Sequence, residues 1–290
     1  MIDRNVGLLG ATSLVGTGAL QLLMGKGFLV TAYSRNAIDN LVAGVSWRTI
    51  EPKVLLDTSL HRIRYWLCVA PIWVMPEHFN LLLSHGARRL VVLSSTSRFG
   101  KMNSEDLSER HLAQRLANAE ENLQRWAEEK NIELIILRPT LIYGLGQDKN
   151  VSEISRFIHR FGFFPVFGKA EGLRQPIHVE DVANSCVTAL LRRDIPSGAY
   201  NLSGGETLPY REMITCIFKA MRKKPKLLSI PLWLFMFAIG VLRFIPRYKQ
   251  WSYAMAQRMN QDLVFDHSDA KAAFGFNPRG FVLKPEDLPK

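Results

Sequence analysis

The stretch Leu9-Gly10-Ala11-Thr12-Ser13-Leu14-Val15-Gly16 has the residue types and spacing to cradle phosphate. A dinucleotide site at a strand–turn–helix junction needs a glycine where the chain turns tightly and a small residue where backbone meets the pyrophosphate. It also needs a glycine where helix packs on strand. Gly10 and Gly16 fit the outer roles. Ser13 takes the middle one, and its hydroxyl suits a helix cap or a phosphate contact. Thr12, Leu14 and Val15 complete the predicted cofactor loop. A second apolar run ends at Tyr33-Ser34-Arg35-Asn36. An NAD-selective site would carry Asp or Glu there for the ribose hydroxyls, and that carboxylate would repel a 2′-phosphate. Ser34 and Arg35 would attract one, so the pattern predicts NADP, with NAD as the alternative. Arg35 also reads as a solvated loop charge. The nearest acid, Asp39, falls in the following helix.

Other reactive side chains form a looser set. Ser95, Thr96 and Ser97 offer three consecutive hydroxyls with no base beside them. His111 and Arg115 lie four apart on one helix face, where His could move protons and Arg could hold ribose or phosphate. Tyr143 and His178 are further proton-transfer candidates, and both also read as packing residues. Cys68, Cys186 and Cys216 are scattered in apolar contexts and form no Cys-x-x-Cys, which predicts buried thiols in a reducing cytoplasm. The seven histidines show no ligand spacing, so no metal site is expected.

These residues need elements to carry them. Strands are predicted at 6–9, 28–33, 45–50, 64–70, 89–94 and 133–137, with helices at 14–24 and 104–130 between them. Continuous apolar strands alternating with helices predict a doubly wound α/β fold, a parallel sheet covered on both faces. After Arg138-Pro139 the rhythm breaks into helices at 152–160, 179–192, 210–221 and 251–260 with short extended pieces, including 199–202. This reads as a dinucleotide domain over 1–145 and a smaller substrate lobe over 146–290, partly interleaved with the sheet.

The chain has 290 residues, 47% of them hydrophobic, enough to bury a large core. Its net charge of +11 points to anionic partners or to solubility. Leu232 to Leu242 carries no charge and is flanked by basic residues. It is about half the roughly 20 residues that a span needs, so it reads as a buried lobe helix or as a peripheral membrane contact through 227–249. A nucleic-acid partner is not expected, because the basic residues are dispersed along the chain and follow no nucleic-acid-binding pattern. No signal peptide is expected before the first strand, which places the protein in the cytoplasm, or peripherally at the inner face of a membrane.

Several stretches together resemble the extended and atypical short-chain dehydrogenase/reductases, the nucleotide-sugar epimerase/dehydratase group. They are Gly10–Gly16, Leu93–Gly100, Leu137–Gly144, Gln175–Ala183, Tyr200–Glu206, Phe265–Lys271 and Phe274–Arg279. The resemblance implies a Rossmann-like sheet with a C-terminal substrate lobe. It makes Ser95 the catalytic hydroxyl that binds the reacting oxygen. Pro139 would line the nicotinamide, Ala70 would lie beside the cofactor ribose, and Arg174 would clamp a substrate diphosphate. Thr96 and His178 fall on the substrate side. The chain departs from the family at its Tyr-x-x-x-Lys pair, since none of the seven tyrosines has Lys four residues on. Counting back from the family glutamate puts Leu112 and Leu116 in those places if it is Glu120, or Ala113 and Ala117 if it is Glu121. Two functions stay open: an NAD(P)-dependent enzyme acting on a nucleotide-linked or lipid-linked sugar with a non-standard proton donor, or a non-catalytic NAD(P)-binding sensor or accessory subunit of a membrane-associated complex.

Overall fold

The structure is a computed structural model that describes residues 4–38, 43–50, 62–234 and 253–289. The first six strands are β1 (Asn5–Leu9), β2 (Leu29–Ser34), β3 (Val45–Thr49), β4 (Tyr65–Cys68), β5 (Arg89–Leu93) and β6 (Glu133–Pro139). Short strands follow: β7 (Ile142–Tyr143), β8 (Phe164–Phe167), β9 (Leu173–Arg174), β10 (Ile177–His178), β11 (Gly198–Leu202), β12 (Leu208–Pro209) and β13 (Leu227–Ile230). Seven of them form one parallel sheet in the order β11-β6-β5-β4-β1-β2-β3. The order reverses direction between β1 and β4. In an open α/β sheet, that switch point opens a crevice beyond the carboxyl ends of the strands.

Every residue of β4 and β5 is buried, which requires cover on both faces of the sheet. One face carries α1 (Leu14–Gly25) and α6 (Val179–Leu191), whose Ala19, Leu23, Val182 and Cys186 are buried in one cluster. The other carries a 3-10 turn (Ile72–His78), α2 (Phe79–Ser84) and, beyond the short α3 (Ser97–Gly100), α4 (Leu107–Glu129). Trp66, Met75, Leu116 and Trp126 fill that layer. Trp66 lies over Gly7, where any Cβ would run into the indole.

The remaining elements build a smaller lobe around Val151, Ile158, Phe164, Ile214 and Phe218, from α5 (Val151–Phe161), α7 (Tyr210–Ala220) and the β8–β13 pair. The short helix Tyr253–Arg258 completes it, while the helix Ser268–Phe274 buries its Ala270 and Phe274 in the main-sheet cluster beside β11. The C-terminal half of the chain also supplies β11 and α6 to the main sheet and its cover. The apolar stretch 232–242 lies outside the described residues from 235 onward, as does most of 227–249. Among the described residues, no helix is long and apolar enough to cross a membrane.

Candidate functional site

The carboxyl edge of the sheet gathers the first part of the site. Directly after β1, Gly10 adopts a left-handed φ of +83°, and a Cβ there would lie 2.5 Å from the backbone nitrogen of Ala70. A Cβ on Gly16 would collide with the Gly10 carbonyl oxygen. Both glycines are therefore fixed by close backbone approach. Ser13 caps α1, its Oγ accepting from the Gly16 N–H at 3.0 Å. The first helical N–H groups, on Leu14 and Val15, have no acceptor among the described residues. No acidic residue stands in the first turn of α1. Thr12 is exposed at the rim. This is a helix N-terminus with open donors and room for an approaching anion, so the residues fit a dinucleotide pyrophosphate.

The neighbouring strands end around this loop. Ser34 closes β2, its Oγ accepting from the Asn36 N–H at 3.3 Å, and Arg35 follows, exposed. Ala70 follows β4 and touches Gly10. Ser95 follows β5. Its Oγ accepts from the Ser97 N–H at 3.1 Å, which leaves the hydroxyl hydrogen for another acceptor. Pro139 ends β6, and its carbonyl accepts both the N–H and the hydroxyl of Thr96, at 3.1 and 3.2 Å. That bond commits the Thr96 hydroxyl, 5% exposed, to holding β5 against β6.

Next to Ser95, at Ser94, lies a charged cluster of which the sequence had singled out only Glu120, as one of two alternatives. Glu120 of α4 is fully buried and binds Arg98, Arg138 and the Ser94 hydroxyl; Arg138 Nε reaches its two oxygens at 3.2 and 3.0 Å. The Phe99 ring packs against both guanidiniums, 5.5 Å from Arg98 and 5.2 Å from Arg138. Glu121 is largely exposed and stands 3.8 Å from Arg98. The buried glutamate is therefore Glu120. Four and eight residues before it, Leu116 lies in the apolar layer under the sheet and Leu112 packs against that layer.

The other proton-transfer candidates lie elsewhere. His111 stands nine residues before Glu120, about 180° around α4 at roughly 100° per residue. It faces outward into a groove with Trp73, Pro76 and Arg115, whose guanidinium lies 4.2 Å from the Trp73 ring. The structure thus turns His111 away from the Ser94–Glu120 side of the helix. Tyr143 and His178 do meet, edge to face at 5.1 Å, but inside a buried cluster. His178 Nδ1 accepts from the Glu180 N–H at 3.2 Å and caps α6, so Nε2 carries the hydrogen that reaches Asp287 at 2.9 Å. Gly144 packs on the imidazole; a Cβ there would lie 2.7 Å from Nε2. Burial holds the Asp287 carboxyl up, but the bonds from His178 and from the Lys284 and Leu145 N–H groups outweigh it and set the pKa below 3.8. Burial pushes the Tyr143 phenol well above its ordinary range. Both nitrogens of His178 are engaged, and these two residues fasten the C-terminal segment to the lobe.

Arg174 is buried, its guanidinium donating to the carbonyls of Leu173 and Gln261, at 2.8 and 2.7 Å, and of Arg258. It lies 5.4 Å from the Tyr210 ring. Arg258, at the end of its helix, meets Glu109 at the start of α4, and Lys101 reaches the same carboxylate at 3.4 Å. Desolvation lowers the pKa of Arg174, Lys101 and Arg258, with Arg258 adding to the effect at Lys101. Arg174 is thus committed to backbone carbonyls, whereas Arg258 and Lys101 share one carboxylate, that of Glu109. No local pattern marks Arg258, Lys101 or Glu109 in the sequence, because they come from three separate elements.

Comparison with known proteins gives a consistent picture. A family model described as "NAD dependent epimerase/dehydratase family" matches residues 77–203. A subunit of Arabidopsis thaliana, NADH dehydrogenase [ubiquinone] 1 alpha subcomplex subunit 9, mitochondrial, is 29% identical over 34% of this chain and 25% of its own length. The UDP-glucose 4-epimerase of Vibrio cholerae is 23% identical over 40% of this chain and 36% of its own length. The matches thus span about a quarter and a third of these relatives. The structure of Bacillus cereus UDP-glucuronic acid 4-epimerase in complex with NAD superposes with a TM-score of 0.70, at 16% identity, over 98% of this chain and 93% of that one. This likeness establishes the fold, a Rossmann-like parallel sheet with a smaller C-terminal region.

Proposed function

We propose that this chain binds a nicotinamide dinucleotide, NADP in preference to NAD, together with a diphosphate-bearing ligand of the nucleotide-linked or lipid-linked sugar kind. It acts on that ligand by hydride transfer without a tyrosine–lysine relay. The observation that carries this reading is one continuous edge. The open helix N-terminus at Gly10–Gly16 follows β1, the Ser95 hydroxyl follows β5 two strands along, and Pro139 ends β6 beside it, all at the carboxyl edge of one parallel sheet, with Arg258 and Lys101 at the lobe junction. Arg35 and Ser34 supply the preference for a 2′-phosphate. Ser95 holds the reacting oxygen with its uncommitted hydroxyl hydrogen. Arg258 and Lys101 neutralise the diphosphate, exchanging Glu109 for it. When bound, the nicotinamide supplies the hydride acceptor or donor. The substrate-side proton passes to a group other than Leu112 and Leu116, which have no ionisable atom.

The second reading is a dinucleotide-binding accessory subunit or sensor without turnover. It draws on the two leucines and on the plant relative, a subunit of NADH dehydrogenase. A thermal-shift titration with NADP, NAD and a panel of UDP-sugars, followed by single-turnover assays of nicotinamide reduction, separates the two. Binding with reduction supports the enzyme. Stoichiometric binding with no reduction by any sugar supports the accessory subunit. If no dinucleotide raises the melting temperature, both readings fall.

A further inference from the structure

At the opposite end of the sheet, away from the cofactor loop, four cations that are scattered in the sequence come together. Arg62 and Arg64 precede β4, Arg88 precedes β5, and Lys130 ends α4; with Ser84, Gly86 and Asn131 they line a cleft of about 640 Å³. Arg64 and Arg88 are side-by-side neighbours on adjacent strands, the Arg88 N–H donating to the Arg64 carbonyl at 2.9 Å. Like charges in such positions repel. Among the described residues, none of the four cations pairs with a carboxylate. The nearest acid on β6, Glu133, is taken by the buried Arg89. The carbonyl end of α4, which Lys130 caps, and that of α2 offset part of this charge but provide no counter-ion. The five residues of β5 separate the cleft from the Ser95 end of the sheet by about 16 Å, at roughly 3.3 Å per residue.

We propose that this cleft binds a phosphate-rich anion, independently of the dinucleotide loop. Its volume suits a nucleotide-sized ligand. Three guanidinium forks on neighbouring backbone positions match the spread of oxygens on linked phosphates, with Lys130 as a point charge at the rim. The shared chemistry is clustered phosphate, whether free in solution or on a lipid headgroup.

The test is calorimetric titration of the full chain with inorganic tripolyphosphate at physiological ionic strength, on wild type, R64Q/R88Q, R62Q/K130Q and R35Q. Arg62, Arg88 and Lys130 are exposed, so R62Q/K130Q keeps the fold if the strand-end pair does not tolerate change. Each double variant is expected to weaken binding by about a hundredfold, a charge-assisted contact being worth roughly tenfold, while R35Q leaves this site unchanged. Co-sedimentation with phosphatidylinositol bisphosphate vesicles, whose headgroup carries clustered phosphate, against phosphatidylserine vesicles of matched charge, identifies the source. Pelleting that tripolyphosphate reverses means a headgroup, and tripolyphosphate binding without pelleting means a free phosphate. Wild-type affinity in both double variants, or no binding by wild type, overturns the proposal. A fall in melting temperature with unchanged tripolyphosphate affinity also overturns it, since the cations would then serve only the helix ends.

Discussion

Replacing Glu120 tests the charged floor of the site. Its carboxylate is completely buried and shared between Arg98 and Arg138, whose side chains are 19% and 14% exposed. Removing one partner of a buried ion pair costs roughly 3–5 kcal/mol, because the charges left behind cannot regain full hydration. Water reaches part of both guanidiniums, so Glu120→Ala should cost about 3 kcal/mol, at the lower end of that range. At about 2–4 °C per kcal/mol for a chain of this size class, the melting temperature should fall by roughly 6–12 °C. Glu120→Gln keeps the volume and an acceptor for Ser94 and should cost somewhat less. Glu121→Ala removes an exposed partner of Arg98 and should stay within about 0.5 kcal/mol. Urea unfolding of the three variants gives the comparison, with unchanged slopes as the check on two-state behaviour. Adding salt should not remove the difference, since a buried pair is weakly screened. A cost below about 1 kcal/mol for Glu120→Ala, or equal costs at 120 and 121, would refute the placement of Glu120 as the buried anchor under Ser94.

Burial raises the Cys68 thiol to about 12 and the Cys186 thiol further, so neither should react with an aromatic disulfide at mildly alkaline pH until the chain unfolds. Rapid labelling of more than the half-buried Cys216 in native protein would count against this packing. Asp287 has its pKa lowered from 3.8, so its stabilisation is complete above that pH and is lost on further acidification. Asp287→Asn should therefore lower stability at neutral pH and flatten the acid limb of the stability curve; an acid limb parallel to wild type contradicts the His178–Asp287 bond. Tyr33 is raised from 10.0 to about 12 by burial, which resists the charged form. Its contribution is present below the unfolded value and is lost as pH rises through the folded one. In spectrophotometric titration, Tyr33→Phe should remove one late-ionising phenol, and loss of an early one instead contradicts the burial.

The fold was legible because its cues are local. Apolar runs such as Arg89–Leu93 and Glu133–Leu137 needed cover on both faces, and Gly10, Ser13 and Gly16 carried their turn and cap chemistry in their spacing. Ser95, Ala70 and Pro139 were expected at strand ends and lie there, while the roles given to them come from the family resemblance alone. Side-chain commitment was not legible. His178 read in sequence as a proton carrier or as a packing residue, and only the fold shows its two nitrogens capping α6 and binding Asp287, a partner 109 residues away. His111 shares a helix with Glu120, and only the fixed rotation of α4 turns it outward. Arg258, Lys101 and Glu109, and likewise Arg62, Arg64, Arg88 and Lys130, meet only through tertiary packing, so no spacing rule could assemble them.

In the proposed function, the Gly10–Gly16 junction holds a dinucleotide whose 2′-phosphate is read by Arg35. Calorimetric titration of wild type, Gly16→Ala and Arg35→Asp with NADP and NAD tests it most directly. The expected result is one dinucleotide per chain with NADP the tighter, loss of both in folded Gly16→Ala, and reversal of the preference in Arg35→Asp. Wild type that binds neither dinucleotide, or folded Gly16→Ala that binds as wild type does, would contradict it.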